Sequence, residues 1–391
     1  MSARAGDEAA SRRHKETEMK LPVAEMLQAS GKWFAQEGPL GDAILSTRVR
    51  LARNLSGHRF PTRALPEEQE RLLTRAEQQL LPRIEEFSGA RLHRVDGLSL
   101  LERHLLLERH LISHDLIGEG SGRAVLFAPD EAISVMVNEE DHFRLQALRA
   151  GFQLDACHAA ASHVDDQLES YVEYAFSDNF GYLTACPTNV GTAMRASVLV
   201  HLPGLVLTKR VKKVISGISQ VGFTVRGFYG EGTDVLGNFF QISNQVTLGE
   251  KESQILLNLE RIVHQVLEYE ERARDVLVKD AAAQVEDKVM RALGVLRHAQ
   301  LLTSEEMIGL MSAVRLGTSL GLAGLPPAHT LSEILLFGQS AHLQAQAGGE
   351  LGSAQRNARR AEFVRERLLE TSSATGNQAP GQGARRDRND E

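Results

Sequence analysis

At 391 residues, with 42% hydrophobic and 24% charged composition, the chain can bury a sizeable core and has room for roughly two or three domains. A formal net charge of -7 gives no global pull toward nucleic acid or an anionic membrane, so any anion chemistry must be local. Two cysteines, Cys157 and Cys186, are too few for a disulfide framework; with no long uncharged apolar run and no signal-peptide core at the N-terminus, a cytoplasmic protein with no membrane association is expected.

Residues 1–20 are polar and mixed in charge, which predicts a disordered start. Over residues 21–262 short β-branched runs alternate with helical stretches, the pattern of a mixed α/β catalytic-type region. Its first distinctive segment is Ser46–Asn54, S-T-R-V-R-L-A-R-N. Alternation there sets Arg48 and Arg50 on one face and turns Val49 and Leu51 to the core. Two guanidinium forks side by side suit a phosphate chain, while a solvated edge strand explains them equally well. Leu65–Phe87 reads as helix, and Ala124–Phe127 and Ile133–Val137 as strands. The second strand breaks into N-E-E-D-H-F-R at 138–144. Three adjacent acids repel one another, and a solvated turn is the plainer reading, yet His142 and Arg144 follow directly after a strand end, where sites are commonly built.

Farther along, C-P-T-N-V-G-T-A-M-R-A-S runs from Cys186 to Ser197, a Pro/Gly loop that carries Arg195 into a strand at Ser197–Val200. A thiol beside arginines is a candidate reactive cysteine, whereas Cys157 reads as a small buried hydrophobe. A strand at Gly222–Val225 leads into R-G-F-Y-G-E-G-T, where glycines bracket Arg226 and Glu231 in a turn that serves a ligand or a hairpin equally well. Gln241–Leu248 reads as a structural strand-to-helix junction. From Glu252 the pattern is helical, with Ile255, Leu259, Ile262, Val263, Val266 and Leu267 on one face, and residues 263–370 form a separate helical domain. Thr303 and Thr330, each three residues before a glutamate, predict helix starts. Near the end Arg356 and Arg360 stand four apart on one helical face, spaced to grip a phosphate, while a solvated basic helix face explains them equally well, before a disordered tail at 371–391. There is no P-loop, no H-R-D or D-F-G and no Cys/His spacing for zinc, so no metal site is assigned. Acidic balance and the lack of interleaved aromatics argue against direct nucleic-acid binding.

Taken in order, S-T-R-V-R-L-A-R-N, N-E-E-D-H-F-R, C-P-T-N-V-G-T-A-M-R-A-S and R-G-F-Y-G-E resemble the motifs of the guanidino (phosphagen) kinases. G-E-G-T-D-V-L-G-N-F-F-Q-I-S-N-Q-V-T-L-G-E and the added helical domain are most similar to the bacterial protein-arginine kinase branch. The resemblance implies an α+β fold, an antiparallel sheet flanked by helices of the phosphagen kinase/glutamine synthetase-like type, followed by an all-helical C-terminal domain. It implies an ATP-dependent kinase for arginine guanidinium groups in proteins, with Mg²⁺ bridging the phosphates. Arg48, Arg50, Arg144, Arg195 and Arg226 would clamp phosphates, and His110 would contact the nucleotide. Glu140 would act as base and orienting group, Glu231 would grip the other side of the guanidinium, and Cys186 would tune it. Arg356, Asn357, Arg360 and Ala361 match the branch's phosphoarginine-binding R-D-x-x-R-A, with Asn357 in place of the aspartate. It further implies a homodimer, a small zinc-binding activator protein, and substrates, a heat-shock repressor among them, marked for a Clp-type AAA+ protease. A kinase for free arginine and a phosphoarginine-binding adaptor are the alternatives.

Overall fold

The structure, a computed structural model, describes residues 21–35, 38–118, 120–227 and 236–376. Helices α1 (Val23–Gln28) and α2 (Lys32–Ala35) precede the long strand β1 (Ile44–Arg53). Then come α3 (Pro66–Arg75), β2 (Leu92–Arg94), α4 (Leu100–Glu108), α5 (His114–Ile117), β3 (Ala124–Phe127), β4 (Ile133–Val137), β5 (Phe143–Ala150) and α6 (Leu154–Glu169). A short ribbon, β6 (Phe176–Ser177) and β7 (Gly181–Tyr182), leads to β8 (Met194–His201), α7 (Pro203–Leu207), α8 (Val211–Gln220), β9 (Phe223–Gly227) and β10 (Phe239–Asn244). The remainder is helical: α9 (Glu252–His298), α10 (Ser304–Ser319), α11 (Ala328–Phe337), α12 (Ser340–Gln346) and α13 (Ser353–Gly376).

Eight strands form one antiparallel sheet in the order β2-β3-β4-β5-β1-β8-β10-β9. Strand β1 lies inside it, paired with β5 on one side and β8 on the other, so Ser46–Asn54 is not an edge. Side chains alternate along each strand and antiparallel partners share a face. One face carries Val49, Leu51, Leu145, Ala147, Ala196, Val198 and Ile242, all buried against α6 and the first half of α9. Helix α6 contributes Leu154, Cys157, Ala161, Val164 and Leu168, the i, i+3/i+4 stripe of a core-facing helix.

Helix α9 crosses position 262 without a break and leaves helical geometry only at Ala281 (φ -145°, ψ 29°). Before that kink it packs Ile255, Leu259, Val263 and Val266 under the sheet; past it, Leu293 and Leu296 join a second core with Met307, Ile308, Leu335 and Val364. Leu148, Leu199 and Phe239 belong to this second core although they project from the sheet. Their register places them on the face opposite Val49, so the helical domain covers one end of that face.

Three sequence expectations change, the first being the tail expected from 371: helix α13 continues to Gly376, and residues 377–391 lie outside the described residues. Leu65–Phe87 is not one helix: α3 ends at Arg75, a wider turn spans Ala76–Leu80, and single 3-10 turns follow at Leu81–Arg83 and Glu85–Phe87. Pro82 lacks the N–H that a continuing helix requires. Thr303 caps α10 as expected, its hydroxyl accepting from the Glu306 N–H at 3.1 Å. Thr330 caps nothing; α11 begins after Pro327, and the buried Thr330 hydroxyl sits 3.2 Å from that of Thr371.

Candidate active site

The register that buries Val49 and Leu51 gathers arginines on the opposite face. Arg50 of β1 lies across from Arg195 of β8 and from Gln146 of β5, with Arg48 two residues along and Arg144 across from Ala52. Gln241 of β10 faces Leu199 of β8, and Arg226 of β9 faces Gln241. Period-two alternation then puts Arg48, Arg50, Arg144, Arg195 and Arg226 on one side of the sheet, the side that also carries Leu148 and Leu199.

Two of these guanidinium groups, Arg48 and Arg50, lie in a field of like charge. Desolvation, followed by the charges of Arg144 and Arg195, pushes the Arg48 guanidinium down to about 10. Arg50 falls well below its ordinary value, by burial first and then through Arg48, Arg144 and Arg195, and its Nε has no hydrogen-bond partner. Arg48 donates from Nη2 to the Gln241 Oε1 at 3.0 Å, a neutral acceptor that aims the guanidinium without cancelling its charge. Like charges held in a low-dielectric site lower one another's proton affinity, and a polyanion entering between them would relieve the repulsion.

The acid triplet resolves into three jobs. Asn138, in the left-handed region (φ 53°), donates its N–H to the His142 carbonyl at 3.0 Å and makes the tight link between β4 and β5. Glu139 is buried, pairs with Arg144 Nη1 at 2.5 Å and accepts from the Ser113 hydroxyl. Asp141 is also buried and accepts from Asn54 Nδ2 at 2.6 Å and the Ala185 N–H at 2.7 Å, tying this turn to the residue before Cys186. Only Glu140 keeps a partly open carboxylate, 31% exposed and 3.5 Å from Arg144 Nη2. Burial raises its pKa, with Arg144 opposing and Asp141 and Glu139 adding to the rise. His142 is structural: Nδ1 accepts the Leu55 N–H at 3.0 Å, Nε2 faces the Arg59 carbonyl at 3.0 Å, and burial pushes its pKa down to about 4.

Cys186 is partly exposed, with its sulfur 3.0 Å from the Thr188 hydroxyl. Cys157 is a buried core thiol pushed up to about 12 by desolvation, donating to the Ala147 carbonyl. His110, also in the left-handed region (φ 56°), packs edge-on against Trp33 at 5.3 Å; desolvation and the Arg48 charge push its ring down to about 3. Glu231 lies outside the described residues.

Arg356, Asn357, Arg360 and Ala361 sit apart from this site, on α13. Arg356 bonds the Leu351 carbonyl at 2.6 Å. Arg360 is turned inward at 1% exposure, donating to the Gly338 and Leu302 carbonyls and to Asn357 Oδ1, and Ala361 is fully buried. Four-residue spacing therefore does not make an outward-facing pair of guanidinium groups here. Gln241 and Glu139, which hold Arg48 and Arg144, escaped sequence reasoning, although the alternation of Gln241 with Phe240 and Ile242 carried the signal.

The family model described as ATP:guanido phosphotransferase, C-terminal catalytic domain, matches residues 73–273, and that of the Protein-arginine kinase McsB C-terminal domain matches residues 282–379. A protein-arginine kinase of Symbiobacterium thermophilum is 46% identical over 343 residues, 87% of this chain and 97% of the relative. One from Bacillus cereus is 42% identical over 344 residues, 88% and 97% of the two chains. Among solved structures, the duplicated taurocyamine kinase of Schistosoma mansoni with bound transition state analog components aligns at TM-score 0.55 and 28% identity, over 61% of this chain and 34% of that one. Lombricine kinase, at TM-score 0.52 and 21% identity over 61% and 68%, shares the fold. With identity at this level spanning nearly the whole length of its relatives, the chain belongs to the ATP:guanido phosphotransferases, within them to the protein-arginine kinase family, and is a phosphotransferase.

Proposed function

We propose that this enzyme moves the γ-phosphoryl group of ATP onto arginine side chains of proteins. The observation that carries the reading is the meeting of opposite charges on one face of the sheet: arginines that repel one another share that face, and Glu140, its pKa raised, stands 3.5 Å from one of them, Arg144. A guanidinium nitrogen attacks the γ-phosphorus, the N–P bond forms as the bond to the ADP oxygen breaks, and the nitrogen's proton passes to the Glu140 carboxylate. Burial helps here, because a carboxylate with higher proton affinity is the better base. Negative charge on the transferring group is met by Arg48, Arg50, Arg144 and Arg195, fixed before the substrate arrives. Arg226 and His110 are assigned to the nucleotide, Glu231 to the far side of the guanidinium, and Cys186 to its tuning. The arginine face offers donors and not metal ligands, so we place Mg²⁺ on phosphate oxygens and water, where it would neutralise charge. Marking proteins, a heat-shock repressor among them, for a Clp-type protease in a stress response, with a small zinc-binding activator and a cytoplasmic homodimer, extends the reading by family likeness. So does phosphoarginine binding around Arg356.

The test is incubation with Mg-ATP and an arginine-rich protein, followed by mass spectrometry for acid-labile phosphate on arginine, with free arginine in parallel. Glu140→Gln is expected to lower labelling by about 10²–10⁴-fold while Mg-ATP still binds. For the wild type, kcat/KM falls as the pH drops through the Glu140 carboxyl, at a pH above its ordinary 4.5 because the proton is held more tightly. Normal labelling by Glu140→Gln removes Glu140 from its role; labelling of free arginine alone makes the enzyme a small-molecule kinase.

A further inference from the structure

The last residue of α4 and the two that follow it each bind a different part of the molecule. Glu108 reaches across 233 residues of sequence to the start of α12: Oε1 accepts the Ala341 N–H at 2.7 Å, and Oε2 accepts the His342 N–H at 3.1 Å and faces its Nδ1 at 2.8 Å. Gln339, at the N-cap of α12, offers no side-chain cap, so Glu108 supplies it. Arg109, 1% exposed, donates to the Met26 and Ala29 carbonyls at 2.8 Å and pairs with Glu131 at 2.7 Å. Its Nη1 lies 3.4 Å from His342 Nε2, a geometry that fits a neutral ring with its proton on Nδ1 facing Glu108, and burial lowers the ring's pKa. His110 follows in a left-handed conformation that few residues adopt unforced. Its carbonyl accepts from Gln146 Nε2 at 2.7 Å, and Gln146 is the residue directly across from Arg50.

We propose that Glu108 is a positioning residue for the phosphate donor: by tying the last turn of α4 to the start of α12 it fixes His110 against the arginine face, and nucleotide affinity depends on how the helical domain is seated. The proposal rests on reading that face as the ATP site. Arg360 holds the same helix start from behind, donating to the Gly338 carbonyl at 2.8 Å and to the Ser340 hydroxyl at 3.3 Å, so Glu108 grips a fixed point.

The single tryptophan, Trp33, stacks edge-on with His110 and reports its surroundings. Expected for Glu108→Ala are a shifted Trp33 emission, an about tenfold weaker Kd for Mg-ATP and a kcat within about twofold of wild type. Glu108→Gln, which keeps one acceptor and the side-chain volume, should weaken binding about threefold and covers the case in which the alanine variant does not fold. His110→Ala should itself weaken Mg-ATP binding, and adding Glu108→Ala to it should change nothing more. A Glu108 variant that unfolds more easily but binds Mg-ATP normally overturns the proposal, as do effects of the two changes that multiply. Wild-type protein that binds no Mg-ATP removes the site reading as well, whereas wild-type binding with unaffected Glu108 variants overturns the proposal alone.

Discussion

Arginine is used in opposite ways at two places along β1. Arg53, 2% exposed, gives Nε to both oxygens of Asp165 at 3.1 and 2.9 Å and Nη2 to one of them at 2.6 Å; Nη1 reaches the Ala52 carbonyl at 3.0 Å, and the Tyr182 ring lies 3.6 Å beneath. Three residues back on the strand, Arg50 has other arginines for neighbours and an Nε without a partner. A buried cation whose donors are all met holds structure together. One crowded by its own kind is suited to binding an anion.

The comparison can be broken most forcefully at Arg53. Arg53→Met strands Asp165 in the core and should cost about 3–5 kcal/mol in urea unfolding. Arg50→Met removes a charge that makes no ion pair with a carboxylate among the described residues and is crowded by Arg48, Arg144 and Arg195. Stability should stay within about 1 kcal/mol of wild type or rise, while about 2–4 kcal/mol of transition-state stabilisation disappears from kcat/KM. Equal destabilisation by the two changes would erase the distinction between them. The smallest effect sharpens it: Gln241→Ala frees the Arg48 guanidinium and should lower kcat/KM by about 1 kcal/mol with unfolding unchanged.

Much of this was legible in the sequence where period-two alternation governs. It split Arg48 and Arg50 from Val49 and Leu51, and the strands at Ala124–Phe127 and Ile133–Val137 fall on the expected residues. It could not tell the three acids apart, because their roles are set by Ser113, Asn54 and Ala185, distant residues that only the fold brings near. Helical spacing likewise put Arg356 and Arg360 together without saying which way the helix is rotated, and the carbonyls of Gly338 and Leu302 draw Arg360 inward. Gln241 looked structural because an amide carries no charge to attract notice; its importance comes from standing one strand away from Arg48's neighbour.

Leu148, Leu199 and Phe239 share their side of the sheet with the arginines and belong to one core with residues of α2, α10 and α11. A chain cut at the Ala281 kink would lose the α10 and α11 side of this core and is expected to expose apolar surface, a liability for aggregation. The two halves are thus less like beads on a string than like a blade and its sheath, and evolution could not have discarded one without repainting the other.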